Sequence, residues 1–148
     1  MNFNTVSNTD LLLQLRALHF QERSVQVLFL RSLAEVDTRR LYASEGYSSL
    51  YKYVVGELKL SESSALKRIQ VARLSLRYPI ILERLEAGDI SLTALSRLCP
   101  LFEREDANGL IDRCKGLSTR EVEALVAPDS NLQRDRERVV SKNQHLLH

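Results

Sequence analysis

Helix start and stop signals recur along this 148-residue chain, whereas strand signals are almost absent. Serine, threonine and aspartate precede apolar segments with a three-to-four-residue period, and glycine or proline closes most of these segments. Alternating β-branched runs are few, and no Asn-Gly turn joins two of them. The apolar fraction of 44% is that of an ordinary globular protein. The sequence therefore predicts an all-α, multi-helix domain.

The first predicted helix is long. Thr9 or Asp10 is positioned to cap it, and its apolar residues recur at helical spacing. These residues are Leu11, Leu15, Leu18, Val25, Leu28, Leu33 and Val36. The sequence leaves open whether Gln21-Glu22-Arg23 divides the segment into two helices. An unbroken helix from about 10 to 42 would be long for a globular domain, and we expect such a helix to serve as a homodimer seam.

Shorter helices are predicted to follow. Their expected bounds are 49–58, 62–77, 79–87, 92–99, 103–115 and 119–127. The expected caps are Ser48, Ser61 and Ser91, and the sequence 118-STRE-121 predicts a capping box. Gly46, Gly88 and Gly116 are expected at helix ends, where a left-handed residue is common.

The ends of the chain differ from its middle in composition. Residues 1–8 are expected to be a disordered N-terminus, and residues 9–127 form the predicted helical domain. Residues 128–148 lose the apolar period and gain charge, so they read as a tail or linker.

Basic charge is concentrated in one segment. The formal net charge of the chain is only +2. Residues 59–77 nevertheless hold five basic residues against Glu62 alone, a local charge of +4 that leaves −2 for the rest of the chain. The distribution of charge, more than its total, therefore points to a polyanion partner.

This basic segment lies within a predicted helix-turn-helix, which is central in the chain. The first helix spans about 49–58, the turn is Lys59-Leu60-Ser61, and the second helix spans about 62–77. One stripe of the second helix is expected to pack against the first, and it comprises Ala65, Ile69, Ala72 and Leu76. Leu74 falls on the opposite, polar face. We therefore expect the element after Pro79 to cover the second half of this helix.

The polar face of the second helix predicts contacts to double-stranded DNA. Ser63, Ser64, Lys67 and Gln70 are expected to face the groove, with Val71 beside them. Lys59, Arg68, Arg73 and Arg77 are expected to neutralise phosphates. Tyr47, Tyr51 and Lys52 lie where they could reach the flanking backbone.

The alternative function is a helical dimerisation or protein-interaction module that does not bind DNA. Basic helices are common on protein surfaces, and helix-turn-helix shapes also occur in proteins without a nucleic-acid ligand. The expected homodimer through the N-terminal helix is compatible with either function, because helix-turn-helix proteins often bind two half-sites as dimers.

The sequence does not predict an active site, a metal site or a cofactor. Cys99 and Cys114 have no CxxC partner, and the three histidines, His19, His145 and His148, lack metal-ligand spacing. The five glycines do not form a phosphate-cradling loop. The start of the chain lacks a signal-peptide pattern and no apolar run would span a membrane, so we expect a cytoplasmic protein, located at the nucleoid if it binds DNA.

Residues 10–127 resemble the N-terminal, helical region of a group of bacterial HNH-endonuclease proteins. The matching stretches are 33-LAEVDTRRLY-42, 46-GYSSLYKYV-54, 61-SESSALKRIQVARL-74, 83-ERLEAGDISLTALSRL-98 and 118-STREVEALVA-127. Residues 60–98 are also loosely similar to the helix-turn-helix of ParB-type partitioning proteins, which place a recognition helix before a leucine-rich helix.

The resemblance implies a non-catalytic DNA-binding role. In such proteins the nuclease is a separate C-terminal HNH module that uses histidines and a metal ion, and this chain lacks residues with that pattern. We therefore expect no enzymatic activity from it.

Overall fold

The computed structural model describes residues 2–127, and all regular secondary structure in that range is helical. The helices are α1 (Asn8–Arg39), α2 (Leu41–Ser44), α3 (Leu50–Gly56), α4 (Glu62–Arg77), α5 (Ile80–Ala87), α6 (Leu92–Leu98), α7 (Ala107–Cys114) and α8 (119–127), with 3-10 turns at Phe3–Thr5 and Cys99–Leu101. The predicted all-α, multi-helix fold with a long N-terminal helix is confirmed. The predicted tail lies outside the described residues. Residues 2–7 of the predicted disordered start lie ahead of α1 and are exposed except for the half-buried Val6.

Helix α1 is continuous over 32 residues, so residues 21–23 do not interrupt it. Its N-cap is Ser7, whose side chain accepts a hydrogen bond from the Asp10 backbone N–H at 3.2 Å. The predicted caps, Thr9 and Asp10, are wrong because both lie inside the helix. Asp10 instead occupies the first turn, where the positive end of the helix dipole stabilises its carboxylate.

Two of the three predicted serine caps are confirmed. Ser61 and Ser91 cap α4 and α6, with hydrogen bonds of 3.2 and 3.1 Å from the backbone three residues on. The capping box at the start of α8 is confirmed, because the Glu121 N–H donates to Ser118 Oγ at 3.2 Å and the Ser118 N–H donates to Glu121 Oε1 at 3.4 Å. Gly88 has a φ of +83° at the end of α5, as predicted.

Two predicted helix starts are wrong. Helix α3 begins after Ser49 and not Ser48, because Ser49 accepts from the Lys52 N–H at 3.1 Å. Helix α7 begins at Ala107 and not near residue 103, because Asp106 accepts from the Gly109 N–H at 2.9 Å. The chain after Pro100 is taken up by the 3-10 turn and the turns that follow it.

Helix α4 lies at the centre of the domain and packs against α1, α3 and α6, while α1 also packs against α5 and α5 against α7. The largest fully buried side chains come from almost every element. They are Leu30, Leu50, Val54, Val71, Ile81, Leu95, Leu98, Phe102, Leu110, Ile111 and Val122. A single core therefore fixes the position of α4. None of the helices in residues 2–127 is both long and apolar enough to cross a bilayer.

Candidate nucleic-acid interface

The connector between α3 and α4 has five residues, 57–61, where three were predicted. Helix α3 ends at Gly56, and a Cβ atom there would lie 2.8 Å from the Tyr47 ring. Lys59 occupies the left-handed region at a φ of 61°, which is unusual for a residue with a side chain. The connector thus turns sharply at an exposed lysine just before Ser61 caps α4.

The tyrosines predicted to reach flanking DNA are engaged around α3. The Tyr47 hydroxyl donates to Glu57 Oε2 at 3.0 Å, and this hydrogen bond raises the pKa of Tyr47. The Tyr47 ring also packs edge-to-face on Tyr53 at 5.4 Å between centroids. Tyr51 is half-buried against the core, whereas Lys52 is exposed.

Helix α4 has two unlike halves. In residues 62–68 the only buried residue is Ala65, whereas in residues 69–75 all but Gln70 and Arg73 are buried. The predicted burial of Leu74 is confirmed, since α5, α6 and the Cys99–Leu101 turn, which all follow Pro79, pack against α4. The first two turns of α4 therefore remain accessible.

Two placements on α4 were wrong. Val71 is fully buried and does not lie beside the exposed residues, and Leu76 is 58% exposed and not part of the packed stripe. The reason is that α1, α3 and α6 contact α4 from several sides, so its buried arc is wider than one stripe and turns toward Val71 and Ser75.

The exposed strip of α4 follows an alternating spacing of three and four residues. It comprises Ser63, Leu66, Gln70, Arg73 and Arg77. Ser63 and Gln70 were predicted to lie there. Leu66, which is 50% exposed, was missed, although the same spacing that links Ser63 to Gln70 passes through it.

Lys67 and Arg68 lie off this strip, line one groove together with Ser63 and Ser64, and are half-buried. Lys67 Nζ is 3.4 Å from Thr93 Oγ1 on α6. Arg68 lies beside α1 and donates to the Ser64 carbonyl oxygen at 3.2 Å and to the Ser64 hydroxyl. Both cations therefore border the free half of α4 and do not point straight out from it.

Arg73 and Arg77 form ion pairs with carboxylates of the same domain. Arg73 makes a two-pronged contact with Asp37 of α1, at 2.9 Å from Nε and 3.2 Å from Nη2. Arg77 Nη1 lies 2.9 Å from Glu103 Oε1. These hydrogen bonds raise the pKa of both arginines, whose charges are thus partly neutralised within the domain.

A groove flanks the free half of α4 on each side. The groove toward α6 and α8 has a volume of about 800 Å³ and is lined in part by Leu66, Gln70 and Arg97. The groove toward α1 and the α5–α6 turn measures about 530 Å³, and Arg23 of α1 lies in it. Arg23 packs over Gly88, where a Cβ atom would lie 1.6 Å from Arg23 Nη1.

Arg23 and Arg97 were missed from the sequence because each is at least twenty residues away from α4 along the chain. Only the packing of α1 and α6 brings them near it. Arg97 is half exposed and lies 3.2 Å from Glu123 Oε1 of α8. These two arginines extend the basic border of the free half of α4.

Residues 2–127 hold no group of three or more His, Cys, Asp or Glu side chains that would bind a metal ion. Cys99 is half-buried and Cys114 is buried, and burial raises the pKa of both thiols. Both cysteines are therefore poor nucleophiles at neutral pH.

No protein-family model, curated protein or solved structure matches this chain. The resemblance to HNH-endonuclease proteins therefore stays a prediction.

Proposed function

We propose that this chain is a non-catalytic, double-stranded DNA-binding domain in which α3 and α4 form a helix-turn-helix. The observation that supports it most is the uneven burial of α4, whose first two turns stay accessible while the rest of the helix is fixed in the core. Recognition helices of this class insert their N-terminal residues into the major groove and are held from behind by the domain.

The exposed strip of α4 carries side chains suited to base edges. Gln70 offers the amide that pairs with adenine, and the Ser63 hydroxyl both donates and accepts. Leu66 lies between them on the strip and would contact a thymine methyl group. The capped N-terminus of α4 adds the positive end of a helix dipole, which favours a nearby phosphate.

Phosphate contacts would come from the flanks. Lys59 in the connector, Lys67 and Arg68 on α4, and Arg23 on α1 surround the free turns. We assign Arg73 and Arg77 a smaller share than the sequence suggested, because each would have to leave a carboxylate to bind a phosphate.

The resemblance to the helical region of HNH-endonuclease proteins supports the same proposal, as does the placement of their nuclease in a separate module. Under this proposal the chain works in the cytoplasm, at the nucleoid. It leaves supercoiled plasmid intact when incubated with Mg²⁺ or Mn²⁺.

Fluorescence anisotropy with a labelled duplex, titrated at several salt concentrations, tests the proposal. Lys67→Glu replaces a bordering cation, and its carboxylate can still accept a hydrogen bond from Thr93. We expect affinity to fall about tenfold or more at low salt, with the salt slope reduced by about 1.

Arg39→Glu is the matched control, because it makes the same charge change on α1 at an arginine paired with Glu35. It should alter affinity far less than Lys67→Glu. Equal affinities for Lys67→Glu and the parent chain, with unchanged helical circular dichroism, would exclude α4 as the reading helix. A DNA-independent interaction module would then be the better description.

A further inference from the structure

The N-terminal half of α1 leaves a row of apolar side chains uncovered. Residues 8–22 include no buried residue, and the first buried side chain of the helix is Val27. Helix α1 therefore extends about 20 Å beyond its packed part, at 1.5 Å per residue. Projecting helices of soluble proteins are usually polar, whereas this one carries leucine.

These apolar side chains form one continuous row, here called the α1 stripe. It runs with the alternating four- and three-residue steps of a heptad, through Leu11, Leu15, Leu18, Val25 and Phe29. The first four are between 38% and 63% exposed, and Phe29 is half-buried. Glu22 occupies the one polar position of the row between Leu18 and Val25.

We propose that the α1 stripe binds the same stripe of a second copy of this chain, with the two helices antiparallel. The inference goes beyond the proposed DNA binding and does not depend on it. A two-fold interface needs one patch that is complementary to itself, and this stripe contains both parts. Leu11 and Leu15 project as knobs, and a groove of about 600 Å³, lined in part by Leu18, Val25 and Phe29, can receive them.

The available area fits a dimer. With Leu12 and Leu28 on its two sides, the exposed part of the stripe presents on the order of 600 Å² of apolar residue surface, near the roughly 800 Å² that one partner of a standard interface contributes. The small net charge of +2 opposes association only weakly.

Charge selects the antiparallel orientation. In a parallel pair the two Glu22 carboxylates would face each other inside the seam, which is unfavourable. In an antiparallel pair centred on Leu18, Leu11 meets Val25 of the second copy and the two Glu22 residues lie about 12 Å apart along the axis. Each Glu22 then flanks a leucine and stays open to water.

Sedimentation of the full chain without DNA tests the proposal. The expected mass is twice the 16.9 kDa of one chain at tens of micromolar. Leu15→Glu and Val25→Glu should each yield monomers with at least a tenfold weaker association, and should retain helical circular dichroism because both side chains are more than 60% exposed. Leu76→Glu, at a side chain 58% exposed on α4, is the matched control and should stay dimeric.

Oxidative cross-linking tests the orientation. A mixture of Leu11→Cys and Val25→Cys chains should form a mixed disulfide dimer, whereas Leu11→Cys alone should cross-link no faster than the parent chain with Cys99 and Cys114. A parent chain that is monomeric at all concentrations overturns the proposal, whether residues 128–148 or a different protein covers the stripe. A dimer that survives both glutamate substitutions, or efficient cross-linking of Leu11→Cys to itself, overturns it as well.

Because mass is measured without DNA, failure here leaves the DNA-binding proposal standing. Loss of DNA binding likewise leaves the dimer in place.

Discussion

Helices α1 and α4 each combine a packed half with a free half, but their free halves carry opposite chemistry. The C-terminal half of α1 contributes Val27, Leu30 and Leu33 to the core, while its N-terminal half exposes leucines. Helix α4 buries all of residues 69–75 except Gln70 and Arg73, while its first two turns bury only Ala65 and carry serines and two half-buried cations. The two packed halves are joined by the Arg73–Asp37 ion pair.

The chemistry of each free half determines which kind of surface it can bind. An uncovered apolar row gains free energy by leaving water, so it favours another apolar surface. A polar and cationic turn keeps its hydration and gains mainly from a polyanion. Under the two proposals, the same domain offers one surface to protein and another to DNA, because the core buries only one half of each helix.

The largest expected effect is on stability, when a leucine in the packed half of α1 is replaced by alanine. The same replacement in the free half serves as the comparison. Leu30→Ala removes a side chain with no exposure and should lower the free energy of unfolding by about 3 kcal/mol. Leu15→Ala, at 62% exposure, should change it by less than about 0.5 kcal/mol. Urea denaturation followed by circular dichroism measures both.

Both variants should be made in a chain that also carries Val25→Glu. Dimer formation would otherwise add a concentration-dependent contribution to their stability. Similar losses for Leu30→Ala and Leu15→Ala would mean that the free half of α1 is covered within the monomer.

The extent to which this fold was predictable follows from where its signals lie. Ser61, Ser91 and the Ser118–Glu121 box were found because a cap is a local arrangement of three or four residues. Ser7 was missed in favour of Thr9 and Asp10, since several polar residues in a row can each cap a helix. Which one does is decided by backbone geometry.

The candidate site was less predictable, because it depends on contacts between distant residues. Lys67 was expected at the centre of the exposed face, but Thr93 lies against it. Val71 is buried and Leu76 is exposed, the reverse of the prediction, because three helices surround α4. Arg23 could not be found at all, since its closeness to α4 depends on how α1 crosses the domain.

A smaller effect should separate the two arginines that the sequence assigned to DNA. Arg73→Ala breaks the two-pronged contact to Asp37, which is 19% exposed, and should lower the free energy of unfolding by about 1 kcal/mol. Arg77→Ala is the matched control and should cost less, because Arg77 and Glu103 are both well exposed. Urea denaturation measures the stability of both variants, and duplex anisotropy measures their affinity. A tenfold loss of duplex affinity in Arg73→Ala without loss of stability would show that Arg73 contacts DNA directly, in spite of its ion pair with Asp37.

The smallest expected effect concerns Glu62, the one acidic residue in the first turn of α4. Its carboxylate stabilises the helix through the dipole but lies where a DNA phosphate would approach. Glu62→Gln should therefore lower stability by about a few tenths of a kcal/mol and raise duplex affinity about two- to fivefold at low salt. Glu83→Gln makes the same change in the first turn of α5 and lines neither groove, so it should leave affinity unchanged. The gain for Glu62→Gln should shrink as salt is added, because the repulsion that it removes is screened. An equal rise in duplex affinity for both variants would reflect the change in net charge alone. The N-terminus of α4 would then not be a phosphate-binding position.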